Sequence, residues 1–508
     1  MLPIHSGKQN QSGISRRNFL YYSAVAAGAV AAGGCVSPRP RPRLVSANEK
    51  LNIAIVGYGG QGASDIRSCA TENIIALCDA DEKIGAGVRA AHPKAKYYQD
   101  FRQMLDQEKT LDALNIAVPD HLHATIASAA MQMGKHVYVQ KPLTHSVYEA
   151  RLLRKLAKEC KVATQMGNQG SAEDGLRRAV EVIQAGIIGQ VHDVHVWSNR
   201  PIWPQGLPRP ADSDPVPEGL DWDLWLGPAQ YRPYKGLYLG NNAYHPWNWR
   251  GWVEFGTGAL GDMACHTSNL PFRALKLGYP TEIEAETVDF TTDCYPIKSK
   301  IRFQFPAREG LAPVTFRWYD GGNRTGVMTR PPFRDDKGKY HDGDNKPPTE
   351  VTAAILTVED QIPRSGCLML GDKGQIYSPD DYGAKFYLKL NDEKEFTRGS
   401  DHGAVKAIPQ SIPRNNLRNE VMARYPEGDP LRDNIDAHHQ EWIAACKGGA
   451  PGYSNFDIAA YLTEIMVLGC VAIRVGKKLE WDGPHMRAKN APEASQFVHP
   501  PFRRGWEL

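Results

Sequence analysis

The sequence predicts an α/β chain in two parts. An N-terminal doubly wound parallel sheet is followed by an α+β part with a large open, mainly antiparallel sheet. Two observations predict it. Between residues 51 and 168, short apolar runs alternate with stretches of helical periodicity, the pattern of parallel strands joined by crossover helices. Beyond Gly175 the strand-like runs alternate apolar and polar residues, as half-buried strands do. The division is residues 1–47 as leader and linker, 48–168 as the parallel α/β domain, and 169–508 as the α+β domain.

The chain opens with Ser15-Arg16-Arg17-Asn18-Phe19-Leu20, which reads as a twin-arginine export signal. Phe19 to Val36 is Ala- and Gly-rich and weakly hydrophobic, like the apolar part of a removable signal. Two processing sites compete. Ala32-Gly33-Gly34-Cys35 would make Cys35 a lipid anchor, and Val45-Ser46-Ala47 would be a plain cleavage site. The alternating Pro and Arg from Pro38 to Arg43 form an extended spacer. No other stretch reads as long and apolar enough to span a bilayer. The expected location is periplasmic or exported, with a membrane-anchored lipoprotein as one form.

Leu51 to Val56 is a buried strand, and Ala63 to Ala70 opens a helix. Asn73–Cys78, Leu111–Val118, His136–Val139 and Val162–Met166 continue as strands. Phe101–Leu105, Ala124–Met133 and the amphipathic Ser146–Glu159 are the helices between them. In the second part Gly175–Ala185 is helical and Val191–Ser198 is a strand. Pro201 to Trp252 is Pro- and Trp-rich without periodicity, and so long an irregular segment marks a binding loop or lid. Thr281–Thr291, Lys298–Phe305 and Val314–Tyr319 are strands, and Arg330–Pro348 is a charged surface insertion. Gly371–Leu390 reads as a hairpin, and Asn434–Cys446 and Asn455–Val475 as helices.

Composition excludes several classes. Of 508 residues, 42% are hydrophobic and 23% charged, with a net charge of +3. That is an ordinary globular balance, and it carries no basic stripe for a nucleic acid. The nine cysteines include no Cys-x-x-Cys pair, so structural zinc is not expected. Most of them are expected to be reduced core thiols, with a disulfide formed after export as the alternative, and no metal site is expected.

Gly57-Tyr58-Gly59-Gly60-Gln61-Gly62 sits between a strand and a helix. Glycines in that position let the backbone approach a pyrophosphate, whose charge the helix start favours. Asp79 closes the next strand, at the spacing of a ribose-binding acid. A carboxylate there would repel a 2′-phosphate, and Ala80 offers no arginine to receive one. NAD is therefore favoured over NADP, with Gly57, Gly59, Gly60, Gln61, Gly62 and Asp79 as the expected contacts.

Three further stretches carry a resemblance. They are Val118-Pro119-Asp120-His121-Leu122-His123, then Gly134-Lys135-His136-Val137-Tyr138-Val139-Gln140-Lys141-Pro142, then Gly256 to His266. Together they resemble the Gfo/Idh/MocA oxidoreductases, whose signature is a Glu-Lys-Pro motif after a strand. The likeness covers roughly residues 50 to 320. Trp203-Pro204-Gln205-Gly206, Trp222 to Gly227, and the tail from Pro500 to Trp506 are similar to segments of exported bacterial members. The chain departs at Gln140, where glutamate is usual; glutamine keeps hydrogen-bonding reach but loses the charge.

The resemblance implies roles. Pro119, Asp120, His123, Gln140 and Lys141 would border the cofactor. Asp262 and His266 stand four apart, on one helix face. His266 would be the acid or base on a substrate hydroxyl, Asp262 would orient it, and Lys141 would stabilise the alkoxide. Histidine titrates near working pH, which suits that task. Asn168 and Gln169 end a strand at the edge where ligands bind such sheets. With Arg200, Trp203, His245, Trp249 and Arg250 they are the candidate sugar contacts, aromatic faces beside hydrogen-bond donors. Any one of the tryptophans taken alone is more simply a packing residue. His438 and His439 are expected in structural roles.

The reading is an exported oxidoreductase that moves hydride between tightly held NAD and a sugar or glycoside hydroxyl. Export leaves the cytoplasmic nucleotide pool behind, so the cofactor should stay bound and be regenerated in each cycle. A redox-neutral, NAD-dependent glycoside hydrolase is an alternative, and a non-catalytic sugar- or nucleotide-binding protein is a third. A homo-oligomer is the expected assembly.

Overall fold

Strand β1 (Asn52–Val56) is apolar and almost wholly buried, which fits a central position. The computed structural model describes residues 40–322 and 345–508, with only short strand segments of backbone between them. After β1 come α1 (Gln61–Ser68), β2 (Asn73–Cys78), α2 (Ala86–Ala91), β3 (Lys96–Tyr98), α3 (Phe101–Gln107) and β4 (Ala113–Ile116). Then follow α4 (Asp120–Gln132), β5 (His136–Val139), α5 (Val147–Cys160) and β6 (Thr164–Met166). The strands pair in parallel in the order β3-β2-β1-β4-β5-β6. The order reverses between β1 and β4, which opens a crevice at their carboxyl ends.

Local signals explain several boundaries. Asp100 caps α3 by accepting from Arg102 N–H. Ser146 and Glu149 form a reciprocal capping box on α5, which satisfies two otherwise unpaired N–H groups. Helix α4 begins four residues earlier than the apolar periodicity suggests. Pro119 presets the turn, and Asp120 favours the first position through the helix dipole.

The second sheet has ten strands. After α6 (Asp174–Gln184) come β7 (Val191–Ser198), α7 (Trp222–Leu226), α8 (Gly258–Thr267), β8 (Glu282–Val288), β9 (Lys298–Phe305) and β10 (Val314–Gly321). Strands β11 (Gly366–Gly371), β12 (Gly374–Ser378), β13 (Tyr387–Leu390) and β14 (Thr397–Arg398) follow. After α9 (Ala437–Cys446) and α10 (Phe456–Val475), β15 (Leu479–Asp482) and β16 (Arg487–Ala488) complete it. The order is β14-β13-β12-β11-β7-β10-β9-β8-β15-β16, antiparallel except for β7 beside β10. The hairpin expected at Gly371–Leu390 begins earlier, because Gly366–Gly371 forms its own strand against β7.

Helix α10 corrects one expectation. It is 20 residues long with a mean hydropathy of 1.8, enough by length and composition to cross a bilayer. Most of it is buried, packed on α5, α8 and β8. Its apolarity serves the seam between the two sheets. The eight described cysteines are buried free thiols. Arg16, Arg17 and Cys35 lie outside the described residues, as does most of Arg330–Pro348.

Candidate active site

One cleft of about 480 Å³ runs along the carboxyl edge of the parallel sheet, between it and the residues that follow β7. Its first end is made by backbone. Gly57 has φ +77°, and a Cβ there would stand 2.5 Å from the Ala117 carbonyl oxygen. A Cβ on Gly62 would fall 1.8 Å from the Gly57 oxygen, so α1 packs on the loop only through glycine. Gly60 faces open space and starts α1 with no side-chain cap. The first N–H groups of α1 are therefore left for an anion.

Asp79 lines the same end, its carboxylate accepting from the N–H groups of Tyr58 at 3.3 Å and Asp81 at 3.1 Å. Burial pushes this carboxyl up to about 6. An apolar box adjoins it, made by Phe101, Leu122, Ile126, Leu224, Trp225 and Trp506. Uncapped helix, glycine cradle, acid at the β2 end and apolar box together fit a dinucleotide.

The other end is held by charge. Lys141 Nζ donates to Asp262 Oδ1 at 2.8 Å, and Arg250 Nε donates to the same oxygen at 3.3 Å. Burial would raise the Asp262 carboxyl, but these two cations hold it down at about 2. His266 lies one turn along α8 and is buried, and its Nδ1 has no hydrogen-bond partner among the described residues. Burial, reinforced by Lys141, pushes its pKa down to about 3. The imidazole is therefore neutral at any ordinary pH, and its titration lies well below the near-neutral range the sequence suggested for it. The guanidinium of Arg250 stacks on Trp247 at 3.8 Å and Trp249 at 4.3 Å. Arg200, Trp203 and Gln169 line this end as well.

Between the ends stands Asp120, which accepts from Thr257 Oγ1 at 2.7 Å. Burial pushes its carboxyl up to about 7. Pro119 and Gln140 line this middle stretch, and Gln61 lies at the loop. Gln140 Nε2 donates to Asp65 Oδ2 at 2.8 Å, and Asp65 is itself buried on α1. A glutamate at 140 would press two buried carboxylates together. The charge usual at position 140 has a counterpart one layer deeper, at Asp65.

Three expected contacts are placed elsewhere. His123 is not in the cleft lining; its ring nitrogens sit 2.7 Å from the Pro142 oxygen and 2.9 Å from the Val118 oxygen. Because α4 starts at Asp120, His123 falls on the inward face. Asn168 is fully committed inside, donating to the Cys265 oxygen and accepting from Ser171 Oγ and Ser454 Oγ. His245 does line the cleft, but at the Asp79 end. Its Nδ1 accepts from Trp225 Nε1 and its Nε2 then donates to Asp81 Oδ2 at 3.0 Å. It braces the nucleotide-shaped end rather than the Lys141 end. His438 and His439 are buried on α9, and His439 stacks on Tyr138.

Two lining residues escaped the sequence reading. Tyr382, between β12 and β13, sets its ring edge against His266 with centroids 5.0 Å apart. Its stretch Pro379-Asp380-Asp381-Tyr382-Gly383 reads as an ordinary turn. Trp506 packs on Phe101 and Arg102. The tail is pinned by Arg503, whose N–H groups donate to the Gly227 and Asp223 carbonyls. Tyr382 falls inside the hairpin read at Gly371–Leu390 and Trp506 ends the tail likened to exported members, but nothing local in either segment marks the residue as a cleft contact.

Comparison with known proteins places this geometry. Residues 51–168 match the family described as oxidoreductase family, NAD-binding Rossmann fold, and residues 187–307 match its C-terminal alpha/beta domain. Residues 7–38 match a twin-arginine signal of a cytochrome reductase Fe-S subunit. An inositol 2-dehydrogenase of Saccharopolyspora erythraea is 28% identical over 166 residues, 32% of this chain and 49% of that protein. A glycosyl hydrolase family 109 protein of Shewanella amazonensis is 29% identical over 162 residues, 27% and 35% of the two chains. The chain thus spans half or less of these curated relatives. In fold it resembles the WlbA dehydrogenase of Bordetella pertussis, solved with NADH and UDP-GlcNAcA. The TM-score is 0.54 at 16% identity, over 86% of this chain and 99% of that one.

Proposed function

The chain belongs to the Gfo/Idh/MocA oxidoreductase family, and from that premise we propose an exported, NAD-dependent oxidoreductase acting on a hydroxyl of a sugar or glycoside. The observation that carries the reading is one cleft with a glycine cradle at one end and Lys141, Asp262 and His266 at the other. Bound NAD would supply reversible two-electron oxidation of a carbinol carbon. Gly57, Gly59, Gly60 and Gln61 would hold its pyrophosphate, and Asp79 a ribose hydroxyl.

The chain's own groups handle the proton and the charge. His266, neutral because it is buried, accepts the hydroxyl proton. The Lys141 ammonium, aimed by Asp262, faces the oxygen that becomes negative. Asp262 stays ionised and so keeps Lys141 fixed. Trp203 and Trp249 line this end behind the Arg250 guanidinium and would border the ring.

Export through a route for folded proteins favours a cofactor that never leaves. The enclosure supports this. The segment around Leu220 bonds back to the nucleotide end, Asp221 N–H to the Ala80 oxygen and Glu82 N–H to the Gly219 oxygen, and Trp506 closes the apolar box. The site residues, the domain boundaries, the Cys35 anchor and a homo-oligomer remain parts of the proposal.

A second reading has one specific support, the family 109 glycosyl hydrolase relative. Transient oxidation would acidify a neighbouring C–H, elimination and water addition would cleave the glycosidic bond, and reduction would restore the hydroxyl. Aryl glycosides and free sugars separate the readings. Aglycone release without NADH accumulation supports hydrolysis, whereas keto-sugar or NADH formation supports dehydrogenation. Protein that binds sugar and does neither is a binder. Purified protein should carry its nucleotide through gel filtration; recovery of apoprotein that needs millimolar NAD would overturn tight retention.

A further inference from the structure

We propose that the sugar taken by this cleft bears an anionic substituent, a carboxylate or a phosphate, gripped by Arg200 and Arg250. The inference rests on the sugar-oxidoreductase reading above and narrows its substrate class.

The charge at the Lys141 end does not balance. Lys141, Arg200 and Arg250 all line it. Among the described residues, Asp262 is the carboxylate that accepts hydrogen bonds from them, and a single oxygen of it takes both Lys141 and Arg250. Asp120 is bonded to Thr257 instead, and burial keeps it largely protonated below neutrality. Among the described residues, then, one firmly ionised carboxylate is bonded to Lys141 and Arg250, and Arg200 has no carboxylate bonded to it. The nucleotide's own phosphates do not resolve this, because their station is the uncapped start of α1 at the opposite end.

The two guanidiniums are also held ready. Arg250 is mostly buried, its plane fixed by Trp247 and Trp249 and its Nη1 donating to the Trp247 oxygen at 3.0 Å. Its Nη2 makes no hydrogen bond to the described residues. Arg200 uses Nη1 on Asn199 Oδ1 at 2.5 Å, and its Nε and Nη2 are likewise unbonded. Its charge reaches His266 and Tyr382 across the cleft. A planar fork of spare N–H groups suits a carboxylate or phosphate edge. A neutral polyol would leave Arg200 without an opposite charge and Arg250 sharing its one carboxylate with Lys141, which is costly for partly desolvated cations.

The test uses the protein as purified, with its nucleotide. Binding by calorimetry and turnover are measured for glucose, glucuronate and glucose 6-phosphate, and for galactose and galacturonate. An anionic member should bind at least ~10-fold more tightly than its neutral parent, the scale of one charge-assisted hydrogen bond. The acid and phosphate arms identify which anion is read. Arg250→Met and Arg200→Met should each shrink that preference by roughly 10-fold with nucleotide still bound, which shows the variants are folded. Arg250→Lys should restore part of it. Neutral sugars bound as tightly as the acids, or a preference that survives both substitutions, would overturn the inference and leave the oxidoreductase reading standing. No binding or turnover of any sugar would overturn both.

Discussion

The two ends of the cleft are bounded by different kinds of structure. The nucleotide-shaped end is backbone: glycines that admit no Cβ, an uncapped helix start, and an acid at a strand end. The chemistry end is side-chain charge: one carboxylate shared by a lysine and an arginine, with a neutral imidazole beside them. Backbone geometry is fixed by the fold and can hold a ligand through many turnovers. Charged side chains can respond to a reacting atom. The division predicts that damage at one end spares the other.

The largest effect is expected at the chemistry end. His266→Ala should lower turnover by at least ~10²-fold while the purified protein keeps its nucleotide. A rate near that of the wild type would remove His266 as the base. Loss of nucleotide together with turnover would break the division itself.

At the other end, Trp506→Ala opens the apolar box without touching Lys141, Asp262 or His266. Removing one packed aromatic should speed nucleotide release by up to roughly 10-fold, read as nucleotide lost on repeated desalting. The rate of protein kept saturated with NAD should change little. Unchanged retention would mean that the tail is only a packing element.

How far each end was legible follows from the same contrast. The glycine loop, Asp79 and the first sheet announce themselves because backbone requirements restrict residue type. Only glycine tolerates the Gly57 and Gly62 positions, and buried parallel strands must be apolar. Lys141, Asp262 and His266 were legible through a motif and an i, i+4 spacing, which the structure turns into one cluster. The remaining wall of that end depends on tertiary placement. Tyr382 arrives from a turn between two strands of the far sheet, and its neighbours in sequence say nothing of His266. His123 and Asn168 were misplaced for the converse reason. Polar residues at the carboxyl edge of a sheet can turn inward to satisfy carbonyls and hydroxyls, and the strand end alone does not say which way they turn. The membrane-like composition of α10 went unremarked in sequence, and a helix buried between two sheets can have the composition of a membrane span.

Asp120 stands where the two ends meet, at the first turn of α4, and gives the smallest and most local test. Its carboxyl is pushed up to about 7 by burial, the Thr257 hydroxyl opposing, whereas an unfolded aspartate titrates near ~3.9. The folded state therefore holds this proton more firmly than the unfolded chain does. Its contribution to stability is complete below about pH 4 and is lost as pH rises to about 7, by at most ~1.4 kcal/mol per pH unit. Asp120→Asn cannot ionise, so the variant should gain stability relative to wild type over that interval and track it above neutrality. Urea midpoints of the two nucleotide-bound proteins across this range measure the difference. A difference that stays constant with pH would mean that Asp120 is already ionised in the folded protein. It would then offset part of the positive charge around Lys141, and the contrast between a backbone-built end and a cation-rich end would weaken accordingly.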